Sequence, residues 1–386
     1  MYYDFNDERQ KLQDGAIITK ENGEQFVVDR YIGSGGFSLC YLAHIASSYR
    51  YVVLKEFYPK RVEKGVACRR ADGKIVVYDP LSETVQNDDE EAWNDAFLSF
   101  EREVRLSRKA AYLYDAAGKR IRQNNPDTLS VSDPFCDVIG NLYIAVDTAQ
   151  GETLKELIDR GFVRNSSGEI VSQGSIANIL EILLNTTQLL ARLHSYNRIL
   201  HLDISPENIY LTASGAGQRL LPHILDFGSA IDLDDSTNQA YHHYTCNSFS
   251  APEIMALADL DDDQAGYSPD ESSDTYAVAA ILFYALTGKV YSLKSAYDTK
   301  WKDNIRDEYS MTSADDSGGK SFSEQLIEFL ETGLSSSQKQ RYHTAEEMAE
   351  VLRDLSLSVQ ERWNLLNLIE PDELMTYLML DKYPLY

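Results

Sequence analysis

His201–Leu211 reads HLDISPENIYL, and His223–Ala230, a short way on, reads HILDFGSA. Both set polar residues between apolar runs, and the polar residues are those that moving a phosphoryl group requires. Such chemistry needs a carboxylate to orient an attacking hydroxyl and accept its proton. It also needs oxygen ligands that hold a divalent cation against phosphate oxygens. Asp203, Asn208 and Asp226 supply these groups in that chain order.

Toward the N-terminus, IGSGGFSLCYLA starts at Ile32 and puts Gly33, Gly35 and Gly36 in a turn between two strands. There the backbone can approach a phosphate and aim N–H groups at it. Ser38 stands where a GxGxxG pattern has its third glycine, and such a motif alone is more often a plain turn. YVVLKEF then sets Lys55 inside an apolar strand. A lone ammonium is costly there unless a carboxylate or phosphate meets it. Glu103, in the helical stretch FEREVRLSRKA, is the natural partner, with Glu101 as its rival.

Toward the C-terminus lie SAPE at Ser250–Glu253, Asp274 in SSDTYAVAAILFYALTG, and Arg341 in QKQRYHTAEEM. The order of all these motifs resembles the eukaryotic-like protein kinase family, bacterial serine/threonine kinases included, over roughly Gln25 to Leu355. In that likeness, SAPE closes an activation segment opened by Asp226. Asp274 is the buried aspartate of a central helix, and Arg341 pairs with Glu253. These substrate-side matches separate protein kinases from small-molecule kinases.

The resemblance implies an α+β, bilobal fold: a small antiparallel β-rich N-lobe with one main helix, and a larger, mainly helical C-lobe. It implies that Gly33, Gly35 and Gly36 cover the ATP phosphates and that Lys55 contacts them while paired with Glu103. Asp203 would be the catalytic base, with Asn208 and Asp226 each holding magnesium or manganese. Asp147 to Ala149 would form the hinge for adenine, with Val146 behind it, Val53 above the base and Tyr210 below. The implied partner is a protein bearing a Ser or Thr hydroxyl.

The chain departs from the pattern in several places. Leu202 replaces the arginine that usually answers an activation-loop phosphate, so an activation segment ordered without phosphorylation, or by a partner, is expected. Ser205 replaces the lysine that usually neutralises the γ-phosphate; losing such a contact costs about two to three powers of ten in rate. Val53 and Tyr210 are bulkier than usual and narrow the nucleotide slot. Ser107 takes the place of an apolar residue on the helix, and Cys246 that of a threonine touching the catalytic aspartate, with Thr245 beside it as a substitute. These departures keep open a pseudokinase or scaffold that uses the fold for protein recognition. A small-molecule kinase is a further alternative.

Across its 386 residues the chain carries a formal charge of −25, which repels nucleic-acid backbones and anionic membranes. Four scattered cysteines lack the spacing of a metal site or a disulfide framework, and the N-terminus MYYDFNDERQ lacks a secretory leader. A cytoplasmic protein is expected. The expected organisation is an N-terminal extension (1–24), an N-lobe (25–147) with an inserted hairpin and loop (60–94), a C-lobe (148–357) and a helical tail (358–386). The insertion and tail carry no readable motif and are candidates for a regulatory contact or self-association.

Overall fold

The computed structural model describes residues 9–35, 37–60, 66–79, 84–86, 90–114, 120–124, 131–148, 151–214, 219–235, 246–259, 268–292, 298–309 and 320–366. Gly36, Ala149, Thr245 and the tail beyond residue 366 lie outside them. The chain divides into two compact units, residues 1–150 with 226–228, and residues 151–225 with 229–386.

The first unit holds the strands β1 (Ile17–Thr19), β2 (Gln25–Ser34), β3 (Ser38–Ile45), β4 (Tyr51–Phe57), β5 (Val66–Arg69), β6 (Ile75–Asp79), β7 (Thr84–Gln86), β8 (Tyr112–Tyr114), β9 (Arg120–Asn124), β10 (Phe135–Cys136) and β11 (Leu142–Asp147), and the helix α1 (Glu90–Ala110). Its main sheet is antiparallel, in the order β1-β2-β3-β4-β11-β10. The sheet curls until its edges touch: Lys20 bridges Asp137, and the Val138 N–H donates to Thr19 O at 2.9 Å. Joining the edges removes the unpaired rows that an open sheet exposes. Residues 17–19, read as part of an extension, are therefore a strand of the sheet.

Side chains alternate across a strand, and β4 uses both faces. Val52 and Leu54 enter a core with Phe26, Val28, Leu39, Tyr41 and Tyr143. Val53 packs on the other face with Cys40 and Val146, and Phe57 with Phe100 and Val104 of α1. With both faces covered, the strand is apolar almost throughout, and Lys55 and Glu56 are its buried exceptions.

The segment expected as a hairpin and loop contains a three-stranded antiparallel sheet, β5-β6-β7. Its ADG turn is as read, with Gly73 at φ 89° and its N–H bonded to Arg70 O. Ala67 and Ile75 join the core of the main sheet, and Arg69 reaches Glu56. The insertion is thus anchored on the strand that carries Lys55.

The second unit holds β12 (Gly151–Thr153), β13 (Ile199–Leu200), β14 (Ile209–Ser214), β15 (Arg219–Ile224) and β16 (Ile231–Asp232). Its helices are α2 (Leu154–Asp159), α3 (Gln173–Arg192), α4 (Pro252–Asp259), α5 (Glu271–Thr287), α6 (Lys300–Glu308), α7 (Phe322–Gly333) and α8 (Ala345–Leu366). Helix α5 is buried nearly all round, as an almost uncharged helix at the centre of a bundle must be. Asp270 caps its start by accepting from the Ser272 N–H, and Gly288, at φ 68°, ends it. Helices α3, α7 and α8 pack about it. Helix α8 runs unbroken to Leu366, across the position where the tail was expected to begin.

Sheet β12-β14-β15 carries the segment that joins HLDISPENIYL to HILDFGSA. Gly151 is required there, because a Cβ would stand 2.1 Å from Leu211 O. Among the described residues, no helix is long and apolar enough to cross a membrane.

Candidate functional site

In the first unit, Lys55, Glu103 and Asp226 come together. Register on β4 turns Lys55 toward α1, where its ammonium bonds Glu103 Oε1 and lies 3.5 Å from Asp226 Oδ1. The Lys55 and Glu103 side chains are each 5% exposed. Glu101, two residues away and so on the far side of the helix, is exposed, which removes it as the partner. Burial alone would push the Lys55 ammonium down; Asp226 and Glu103 outweigh that and hold it above the ordinary lysine range. Burial, with Asp226 nearby, raises the Glu103 carboxyl against the opposing pull of Lys55. Both carboxyl groups thus face the one ammonium.

Asp226 adopts φ 61°, a left-handed conformation that aspartate tolerates better than most residues, and its Oδ1 accepts from the Gly228 N–H at 3.2 Å. The glycine hairpin passes beside it: a Cβ on Gly35 would lie 3.8 Å from Asp226 Oδ2. Arg9 pins this hairpin by donating to Gly35 O at 2.9 Å, a contact that the reading of residues 1–24 did not suggest. Gly33 lies at an irregularity of the β2–β3 pairing, opposite Cys40. Val53 and Val146 are register partners on one face with Cys40, all three buried. Asp147, half exposed at the end of β11, meets Arg50 at 3.4 Å.

In the second unit, Asp203 and Asn208 meet. The Asn208 amide donates to Asp203 O at 2.8 Å and to its Oδ2 at 3.0 Å. The other carboxylate oxygen accepts from Asn247 Nδ2 at 2.6 Å. Asn247, a neighbour of the exposed Cys246, thus reaches the aspartate, and Thr245 lies outside the described residues. The only sequence signal for Asn247 is a polar, turn-forming residue just ahead of SAPE. Tyr210 is buried on β14, its ring close to Gly151.

Asp274 supports this loop from α5. Fully buried, it accepts the N–H of His201 at 2.8 Å, the N–H of Leu202 at 2.7 Å, and a bond from His194 Nε2 at 2.9 Å. Leu202 sits at φ 60°, a left-handed conformation costing a leucine about 1–2 kcal/mol, and its bond to Asp274 holds it there. His201 donates from Nε2 to Leu225 O and accepts the Asp203 N–H at Nδ1, which fixes its tautomer. Near the end of the candidate activation segment, Glu253 and Arg341 form a buried pair.

The protein kinase domain family model matches residues 131–352, and the chain belongs to that family. The match starts after the strands and helix that carry Lys55 and Glu103. The calcium/calmodulin-dependent protein kinase type I of Schizosaccharomyces pombe is 30% identical over 173 residues, 44% of this chain and 44% of that protein. The serine/threonine-protein kinase PknB of Mycobacterium leprae is 27% identical over 213 residues, 55% of this chain and 30% of that protein. The chain therefore spans less than half the length of these relatives. A doubly substituted PknI kinase domain of Mycobacterium tuberculosis superposes with a TM-score of 0.51 at 18% identity, covering 90% of this chain and 100% of that one. That likeness shows the protein-kinase fold.

Proposed function

We propose that this chain is an ATP-dependent protein kinase that transfers the γ-phosphate to a Ser or Thr hydroxyl of a protein. The observation that carries the reading is the buried Lys55 between Glu103 and Asp226. A chain that kept the fold only as a scaffold has no need to bury an ammonium with two carboxylates, an arrangement costly in desolvation.

The donor set fits magnesium or manganese. Asp226 and Asn208 offer hard oxygen donors, and magnesium takes one or two protein oxygens together with phosphate oxygens and water. Asp226, beside Lys55, places an acidic oxygen where a cation and a phosphate would meet the ammonium. Asn208 donates through its nitrogen to Asp203, and its amide oxygen is the donor it would offer a cation. Bound there, the metal supplies charge neutralisation of the phosphates during transfer.

The protein's own groups do the rest. Lys55 holds phosphate oxygens, and Glu103 keeps the ammonium in place. The backbone at Gly33 and Gly35 covers the phosphates, a part that the reading also gives to Gly36. Val53, Val146 and Tyr210 bound the adenine, with Asp147 and Ala149 at the hinge. Asp203 accepts the hydrogen bond of the substrate hydroxyl and takes its proton as the oxygen bonds to phosphorus and the ADP oxygen leaves. With Ser205 in place of a lysine, turnover is expected to be slow.

The test is incorporation of labelled phosphate from ATP, with magnesium or manganese, into the protein itself or a basic generic substrate, followed by phosphoamino-acid analysis. Phosphoserine or phosphothreonine from the wild type, absent with Asp203→Asn, is the expected result. Labelling no greater than that of Asp203→Asn overturns the enzyme reading. If saturating ATP and metal then leave Tm unchanged, the scaffold reading replaces it.

A further inference from the structure

Resting on the kinase reading above, we infer that Asn247 is a positioning residue for Asp203, fixing the carboxylate in the orientation from which it meets the substrate hydroxyl. Asn208 and Asn247 each donate an amide N–H to a different oxygen of Asp203, at 3.0 and 2.6 Å. Two donors on opposite oxygens oppose rotation of the carboxylate plane.

The Asn247 amide is itself held. Its Oδ1 accepts from the Phe249 N–H at 2.6 Å, so the nitrogen is the end that points at Asp203. Its backbone N–H donates to Ser250 Oγ at 2.9 Å, and the Ser250 N–H returns to Asn247 O at 3.2 Å. Phe249 and Ser250 are buried immediately ahead of α4. The turn is therefore fixed to the packed interior, and the amide inherits that rigidity. Ser205 and Cys246 stand where the family resemblance places a lysine and a threonine near this carboxylate, and the Asn247 side chain takes up the donor role.

Asn247→Asp separates positioning from mere loop structure. It keeps the shape and still accepts the Phe249 N–H, yet it removes the donor to Asp203 and sets a second carboxylate against it. Steady-state phosphorylation by the full chain should show kcat lower by about a hundredfold with KM for ATP within about twofold, as expected when a reacting group is misplaced. Wild-type kcat in Asn247→Asp overturns the proposal. Thermal unfolding gives a readout that needs no activity: Asn247→Asp should lower Tm, and adding Asp203→Asn, which removes the repulsion, should restore it. Failure to restore also overturns the proposal. If the wild type transfers no label, the kinase reading falls and takes the catalytic role of Asn247 with it, whereas activity that survives in both wild type and Asn247→Asp removes only the role of Asn247.

Discussion

Arg341 and Glu253 meet as two parallel hydrogen bonds, Nη1 to Oε1 at 2.7 Å and Nη2 to Oε2 at 2.9 Å. The Arg341 side chain is 0% exposed and that of Glu253 2%, and the guanidinium lies 4.8 Å from the Tyr276 ring centroid. Ser273 adds a third donor to Glu253 Oε1. Removing one partner from such a pair strands a buried charge, so Arg341→Met should cost about 3–5 kcal/mol. Urea denaturation at neutral pH reads this; a loss below about 1 kcal/mol would place the pair among those worth little. Burial pulls the Glu253 carboxyl up, but its bonds with Arg341 win and hold it below the ordinary glutamate value. Its contribution is therefore present above the unfolded carboxylate value and is lost as pH falls through the folded one.

Lys55 and Glu103 are expected to respond unequally to removal. Lys55→Met leaves Glu103 and Asp226 facing each other in a buried site, and a loss of about 3–5 kcal/mol follows. Glu103→Gln removes the carboxylate that burial already raises, relieves its repulsion with Asp226, and should cost about 1 kcal/mol or less. Both should lower phosphate incorporation. Denaturation midpoints of the two variants, compared at pH 7, check the order.

His194 gives stability a dependence on alkaline pH. It is fully buried, its Nε2 is 2.9 Å from Asp274 and its Nδ1 is 3.4 Å from Glu271. Burial would lower the imidazole, but these two carboxylates prevail and raise it to about 9. A raised folded value means that the stabilisation is complete below the unfolded histidine value, about 6.5, and is lost as pH rises through about 9. The full effect is about 3 kcal/mol. The stability difference between wild type and His194→Asn should therefore shrink as pH rises from 6 to 10; a flat difference counts against a charged imidazole in the fold.

The meeting of Lys55 with Glu103 was legible because an ammonium in an apolar strand demands a carboxylate, and helical spacing offered only two. Asp203 and Asn208 stood out for the polar groups they set in HLDISPENIYL, while their contact with each other is a finding of the structure. The contact from Asn247 was not legible either. Which residue of a turn reaches a given atom depends on backbone torsions that composition leaves open. Strand β1 was missed for a related reason: three residues show no alternation, and only the closing of the sheet gives them a place. Helix α8 passes the expected boundary because its apolar repeat continues through Leu355 and Val359, so the division drawn at 357 interrupted one buried face.

Glu56 and Arg69 lead to the last prediction. Glu56 follows Lys55 on β4 and points to the opposite face, 0% exposed. There it accepts from Arg69 Nη1 at 3.0 Å and Nη2 at 2.5 Å, and from the Tyr143 hydroxyl at 2.6 Å. Arg69, on β5, also lies 5.2 Å from the Tyr58 ring centroid. Cutting this pair on one side with Arg69→Met should destabilise by about 3–5 kcal/mol, because Glu56 is left charged with only tyrosine hydroxyls. Replacing both, as Arg69→Met with Glu56→Leu, should recover much of that loss, since a well-packed apolar pair avoids the desolvation of two charges. A double-mutant cycle by urea denaturation gives the coupling directly. Strong coupling makes the inserted sheet a brace for β4. In that case the single variant should also raise KM for ATP, through Lys55 on the neighbouring position, and the double variant should bring it back. Additive losses, with KM unchanged throughout, would show instead that the insertion adds stability without bearing on the placement of Lys55.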